Sequence, residues 1–235
     1  MSGLTPAPVV AQGSPPSTWD WEFAGDILPD LLEGLWVTVK LTVLGISLAL
    51  ALGLVLALLR RSRLRVVRWP VGLFIDFIRG TPLLVQLFFL YFVLPDWGIV
   101  LSGFEAGVIG LGIHYACYTS ETYRAGIESV PRGQWEAATA IHLSGRHTWT
   151  SVVLPQAIPT VLPPLGNYVV ASFKDAPLAA TVTVLGVLGT AQRIQGQTFR
   201  GLEPFTLAGL LFLVVSVPAS LGVRYLERRY GFKRD

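Results

Sequence analysis

Seven ionisable side chains interrupt otherwise apolar stretches of this chain: Lys40, Asp76, Arg79, His114, Glu121, Lys174 and Asp175. Such groups are costly in hydrocarbon, so they read as parts of a solute pathway or as internal ion pairs. Asp76 and Arg79 stand three apart, a spacing that lets them meet on one helical face as a structural ion pair. His114 and Glu121 are seven apart, again on one face. Lys174-Asp175 follows an apolar run where 173–177 breaks regular structure, and gating or helix anchoring suits the pair better than direct solute contact. Asn167 comes just after Pro163-Pro164-Leu165-Gly166. Interrupted helices free backbone groups to face a cavity, which makes Asn167 the uncharged pathway candidate. The set offers both signs of charge, as a zwitterionic solute requires.

Covalent and metal chemistry find no support. No serine sits in a G-x-S-x-G turn, and His142 and His147 belong to a polar loop remote from His114. The one cysteine, Cys117, excludes an intrachain disulfide or a multi-cysteine metal site. A phosphate-binding G-x-x-x-x-G-K-[ST] loop is missing, and none of Lys40, Lys174 and Lys233 follows a glycine. The chain is therefore expected to be no enzyme and to bind no cofactor itself. Energy for any pumping must come from a partner.

The elements that position these residues are membrane helices. Of 235 residues, 52% are hydrophobic and only 14% charged, with mean hydropathy +0.56; soluble domains carry about 25% charge. Spans need about 20 apolar residues. Five are expected, at 34–59, 69–95 (interrupted by Asp76 and Arg79), 106–120, 148–173 and 204–223. A sixth apolar segment, 176–192, is expected to lie across the outer side without crossing. Residues 1–33 hold Asp20, Glu22, Asp26, Asp30 and Glu33 and no basic residue. Basic residues gather at Arg60, Arg61, Arg63, Arg65 and Arg68, in the loop at Arg124, Arg132 and Arg146, and at Arg224, Arg228, Arg229, Lys233 and Arg234. Cytoplasmic loops collect such residues. The N-terminus is thus expected outside and the C-terminus in the cytoplasm, which requires an odd number of spans. The pI near 9.2 is an orientation signal and not one for nucleic acid.

Residues 1–18, rich in Pro, Ser and Ala, lack a basic and an apolar region of a signal peptide and are expected to be a flexible tail. Trp19, Trp21 and Phe23 beside acids suggest an interfacial segment over 19–30. Gly45, Ala49, Gly53 and Ala57 form a small-residue stripe suited to close helix packing. In the loop after the third span a short helix is expected over 134–142, with Trp135, Ala138 and Ile141 on one side. It could dock into a partner's groove or lie on the membrane surface.

Glu136-Ala137-Ala138, three residues, position 142, nine residues and Val152-Val153-Leu154-Pro155 resemble the EAA loop of ABC importer permeases. FIRGTPLLVQLFFLYF (77–92), YTSETYRAGIESVPRGQWEAA (118–138) and LPQAIPTVLPPLGNYVVASFKDAPLAA (154–180) resemble the polar amino-acid branch of that family. The resemblance runs from about Leu31 to the C-terminal region. It implies an all-α integral membrane protein with the type I ABC importer permease fold: five spans, a transmembrane domain over 31–229, a coupling loop at about 121–155 and a short cytoplasmic tail at 230–235. It implies a bacterial inner-membrane location and a separate ATPase dimer that binds ATP and Mg. A second permease subunit and an extracytoplasmic solute-binding protein complete the expected assembly. The coupling residues it implies are Gly133, Trp135, Glu136, Ala137, Ala138, Ile141, His142, Gly145, Leu154 and Pro155. His142 departs from the family, which has glycine there for a sharp turn, and Gly145 is expected to be able to carry that turn instead.

WDWEFAGDILPDLLEGL (19–35) and TFRGLEPFTLAGLLFL (198–213) are similar to the permeases of ectoine and hydroxyectoine importers. That likeness implies a compatible solute and a heterodimer of permeases, with a homodimer as the alternative. A polar amino acid such as glutamine, glutamate or histidine is the alternative solute. A secondary transporter is the rival of another class, and it leaves the EAA-like loop unexplained.

Overall fold

The structure, a computed structural model, describes residues 18–230. The expected tails, 1–18 and 230–235, fall outside it apart from Thr18 and Tyr230. The described chain is all helical. α1 (Trp21–Arg60) leads to α2 (Arg65–Arg79) and α3 (Leu83–Phe88), which continues through a π turn, Phe89–Val93, and a 3-10 turn, Leu94–Trp97. α4 (Gly103–Glu128), α5 (Arg132–Ala140) and the single turn α6 (Gly145–His147) follow. A π turn, Thr148–Val153, joins α6 to α7 (Leu154–Asp175). A 3-10 segment, Ala176–Val182, then α8 (Val187–Thr198) and α9 (Leu202–Tyr230) complete the chain.

α1 starts at Asp20, whose carboxylate accepts from the backbone N–H groups of Glu22 and Phe23, each at 3.1 Å. It then runs unbroken for 40 residues, about 60 Å at 1.5 Å per residue. Residues 21–30 are therefore its first turns, continuous with the span, and not a separate interfacial helix. α4 starts in a capping box, with Ser102 accepting from the Glu105 N–H and the Glu105 carboxylate from the Ser102 N–H.

α1 and α4 form the most extensive helix pair. The small stripe of α1 makes this contact: Ala49 and Ala57 are buried, Gly45 lies over Leu111, and Gly53 faces Thr119 and Ala116. A Cβ on Gly53 would collide with the Thr119 hydroxyl and the Ala116 carbonyl, so only glycine allows this approach. Thr119 Oγ1 donates to the Ala49 carbonyl at 3.0 Å, tying the two helices together. α7 lies against α4, α9 against α7, and α8 against the start of α1.

Two described helices, α1 and the Leu202–Tyr225 part of α9, are long and apolar enough to cross a membrane by themselves; two bent helix pairs raise the number to four. The expected second span, 69–95, is not one rod. α2 meets the Leu83–Trp97 run at a 106° bend, because Gly80 and Pro82 interrupt the helix where Pro82 starts the next one. α4 is absent from the apolar set because it is packed among other helices. Its Gly110, Thr119 and Ser120 face protein, so it needs no continuous apolar surface.

Residues 176–192 contain the 3-10 turns and the first half of α8. The 3-10 segment, about 14 Å long, and α8, about 18 Å, are each short of a bilayer's ~30 Å core. Val187, Ala191 and Ile194 pack with Ile27 and Leu31 near the N-terminus of α1. Arg193 reaches Asp30 at 3.2 Å.

Candidate solute pathway and coupling surface

The expected pathway residues separate into three places. His114 and Asp175 meet around a tyrosine cluster. Tyr115 Oη donates to Asp175 Oδ2 at 2.6 Å, joining the middle of α4 to the end of α7. The rings of Tyr115, Tyr118 and Tyr168 lie within 5.9–6.3 Å of one another. The His114 ring stands 5.4 Å from Tyr115 and 5.1 Å from Tyr118. His114 Nδ1 and Gln86 Oε1 are 3.1 Å apart, and Gln86 Nε2 donates to the Ile78 carbonyl and to Thr81. Gln86 therefore ties α4 to the bend between α2 and α3.

Arg79 joins this cluster instead of an ion pair. Its guanidinium lies 5.3 Å over the Tyr118 ring, a favourable cation–π placement. Asp76 points the other way and stands 4.0 Å from Arg60. The expected Asp76–Arg79 pair is thus absent among the described contacts: the three-residue spacing permits it, but each side chain turns to a residue of another helix.

Glu121 pairs with arginines. Arg60 bonds its Oε1 at 2.7 Å and Arg124 its Oε2 at 2.6 Å, while Arg124 also reaches Glu128 at 2.6 Å. These bonds, Glu121 first, hold the Arg124 guanidinium above its already high ordinary value. Glu121 is therefore a cross-helix brace between the ends of α1 and α4. Lys174 and Asn167 are exposed on this chain.

The coupling loop has a different face from the one expected. Trp135 and Ala138 turn inward: Ala138 is buried, and Trp135 meets Trp149 edge to face at 5.5 Å beside Ile127, Val130, Val153 and Ala157. Ile141 is 70% exposed and does not share that packing. The outward face of α5 is Gly133, Glu136, Ala137 and Ala140, at i, i+3, i+4 and i+7. A Cβ on Gly133 would meet nothing within 4 Å, so this chain's own packing does not require glycine there. Leu154 and Pro155 are exposed where the π turn passes into α7.

His142 itself takes the turn, at φ +53°. Its N–H bonds the Thr139 carbonyl at 3.0 Å and the Leu143 N–H bonds that of Ala138 at 2.9 Å, the paired bonds of a Schellman cap. Gly145, expected as a substitute, is a helical residue of α6 after the N-cap Ser144 and carries no such turn.

One network escaped the sequence reading. Arg200 bonds Asp20 Oδ2 at 3.0 Å and Glu203 Oε1 at 3.4 Å, and lies 4.3 Å over the Phe23 ring. Glu203, only 1% exposed, also accepts from the Asp20 N–H at 3.1 Å. The starts of α1 and α9 are locked together there. Hydrogen bonds from the Phe23 N–H and Arg200 hold the Asp20 carboxyl below its ordinary value. The i, i+3 spacing of Arg200 and Glu203 was the available signal.

The family described as binding-protein-dependent transport system inner membrane component matches residues 49–232. The chain is 46% identical over 215 residues to a probable amino-acid ABC transporter permease of Sinorhizobium fredii, covering 89% of this chain and 93% of the relative. It is 33% identical to the glutamine transport system permease of Escherichia coli, over 90% of this chain and 97% of that one. An L-cystine transport system permease of Bacillus subtilis is 36% identical, with 86% of each covered. Among solved structures, that of an amino acid ABC transporter with histidines superposes at TM-score 0.84 with 33% identity, covering 90% of this chain and 99% of that one. An inward-facing methionine ABC transporter shares the fold at TM-score 0.69 and 17% identity, over 88% and 99%. With the all-helical architecture and the loop geometry, the match over most of the chain shows that this is a multi-pass inner-membrane permease of the binding-protein-dependent ABC importer family.

Proposed function

We propose that the chain forms one half of the membrane pathway of an importer for a polar amino acid, powered by an ATPase docked on the outward face of α5. Family membership implies an ATPase and a solute-binding protein as partners. The observation that carries the solute reading is the tyrosine cluster, with the Arg79 cation on one ring and the Asp175 carboxylate bonded to another. An α-amino acid brings a carboxylate for the guanidinium, and an ammonium for the carboxylate and ring faces. Relatives named for glutamine and cystine transport fit this class. None of the relatives named above carries an ectoine name, so the ectoine reading gives way to the polar amino acid.

Five spans, with the N-terminus outside, suit the charge map. The spans are α1, the run from α3, α4, α7 and α9, with α8 held at the outer end beside the start of α1. Exposed Lys174 and Asn167 face a second permease subunit in this reading, and a heterodimer suits it better than a homodimer. ATP and Mg bind the ATPase. A secondary transporter would leave the small-residue face of α5 without a purpose.

The test is solute competition in proteoliposomes holding the assembled importer and its binding protein. Excess unlabelled glutamine, glutamate, histidine or ectoine is set against labelled substrate. Strong competition by a polar amino acid is expected; competition by ectoine alone would refute the solute class.

A further inference from the structure

At the opposite end from α8, a cavity of about 710 Å³ opens between the C-terminal end of α1, α2 and the end of α4. Arg60, Arg61, Arg68 and Arg124 line it, with Asp76 and Glu128 as its acids. Four guanidiniums line it against two carboxylates, an excess of two positive charges, and Arg63 and Arg65 adjoin it in sequence. The carboxylates are already used by Arg60 and Arg124. Arg61, Arg63, Arg65 and Arg68 have no carboxylate within 4 Å among the described residues; Arg61 rests over the Trp149 ring.

The same helix that borders this basic cavity is strongly two-faced. α2 lies nearly perpendicular to the Leu83–Trp97 run, so it lies along the membrane surface if that run crosses. Trp69 and Leu73, at the cavity rim, are 68% and 59% exposed. Further along α2, Phe74, Phe77 and Ile78 border a second cavity of about 340 Å³ whose remaining walls, on α3 and α4, are largely apolar. α2 thus borders a basic cavity with Arg68, Gly72 and Asp76 and, on a different face, an apolar one with Phe74, Phe77 and Ile78, an arrangement that fits a molecule with a phosphate headgroup and acyl chains. Basic pockets at helix ends on the cytoplasmic side take such headgroups, and amphipathic helices in the surface plane bury apolar side chains at the acyl boundary.

We infer that this permease holds an anionic phospholipid, its phosphate headgroup in the arginine cavity and an acyl chain along Phe74 and Phe77. Gly72 forms part of the cavity wall, where a Cβ would stand 3.9 Å from the Arg60 guanidinium carbon. A larger side chain there projects into the headgroup space without changing any charge.

The experiment measures phospholipid retained by the assembled transporter after detergent exchange, by native mass spectrometry. The protein is first reconstituted in phosphatidylethanolamine with phosphatidylglycerol or with phosphatidylcholine. Selective retention of phosphatidylglycerol is expected. Arg68→Gln should weaken it about five-fold, the effect of one basic residue near an anionic headgroup. Gly72→Leu should abolish it with all charges in place. Arg193→Gln, at the far end of the chain, should leave it unchanged. Equal retention of phosphatidylcholine, or retention unaltered in both Arg68→Gln and Gly72→Leu, would overturn the proposal. Displacement by inorganic phosphate as readily as by phosphatidylglycerol would reduce the site to a simple anion site. Lipid retained by the isolated permease but lost on ATPase assembly would assign the cavity to the partner protein. Each of those outcomes also contradicts the lipid assignment.

Discussion

His142 sits where the coupling loop needs a left-handed residue, and it pays in backbone strain for a side chain. A residue with a Cβ is disfavoured in that region by about 1 kcal/mol, and glycine is the usual occupant of the position after a helix end. His142→Gly is expected to raise stability by about 1 kcal/mol, read as a higher unfolding temperature of the purified permease in detergent. An unchanged or lower temperature would mean the imidazole makes a compensating contact. Two carboxyls at helix starts, ahead of the apolar runs 34–59 and 106–120, give a pH signature. Asp20 is held below its ordinary 3.8 by the Phe23 N–H and Arg200, and Glu105 below its ordinary 4.5 by Ser102. A depressed carboxyl contributes stability above its unfolded value and loses it as pH falls through the folded one. Thermal stability should therefore hold from neutral pH down to about pH 5 and decline below about pH 4. Asp20→Asn should flatten that decline. At this scale the sequence was legible only in part. The turn at 142 was visible from the departure itself, but its carrier was not, since φ is set by the cap hydrogen bonds. Asp76 and Arg79 had the right spacing for each other but turn to Arg60 and Tyr118 on other helices, which local spacing cannot reveal.

At the scale of elements, the α1–α4 crossing depends on the stripe of Gly45, Ala49, Gly53 and Ala57. Gly53→Val drives methyl groups into Thr119 and Ala116 and should cost about 3 kcal/mol, as overpacking does. A large fall in unfolding temperature would register it; a neutral result would mean the helices can part freely. For α5, the face that leaves the chain is Gly133, Glu136, Ala137 and Ala140. Glu136→Arg should leave the permease folded and lower ATPase co-purification about ten-fold or more, at least about 1.4 kcal/mol of docking. Full co-purification with intact transport would remove α5 from the docking site. The stripe was readable because four-residue spacing in a long apolar run has one geometric meaning. The inward packing of Trp135 and Ala138 was not readable, because they look equally apolar whether they meet a partner or their own Trp149. Likewise 69–95 read as one span interrupted only by Asp76 and Arg79, whereas the chain bends by 106° at Gly80–Pro82, with Gln86 and the packing of α2 on α1 and α4 holding the bend.

For the whole molecule, the low charge content and its placement read correctly as a membrane protein with ends of opposite charge character. Acids cluster at the start of α1 and arginines at its end. The Arg200 network adds two basic residues, with Arg193, to the acidic end, and that end is the outside in the five-span reading. A cysteine in place of Arg200 should react with an impermeant thiol reagent from outside intact cells; labelling only after the inner face is opened would overturn the topology. The other half of the pathway is not written in this chain, on which Lys174 and Asn167 are exposed. In the proposed assembly labour is divided: this chain supplies the path and an ATPase supplies the energy. Uptake of a labelled polar amino acid into proteoliposomes, with binding protein outside and nucleotide inside, checks that division. Uptake should require enclosed ATP and persist when an uncoupler collapses the proton gradient. Uptake that continues without nucleotide and stops with the uncoupler would contradict it.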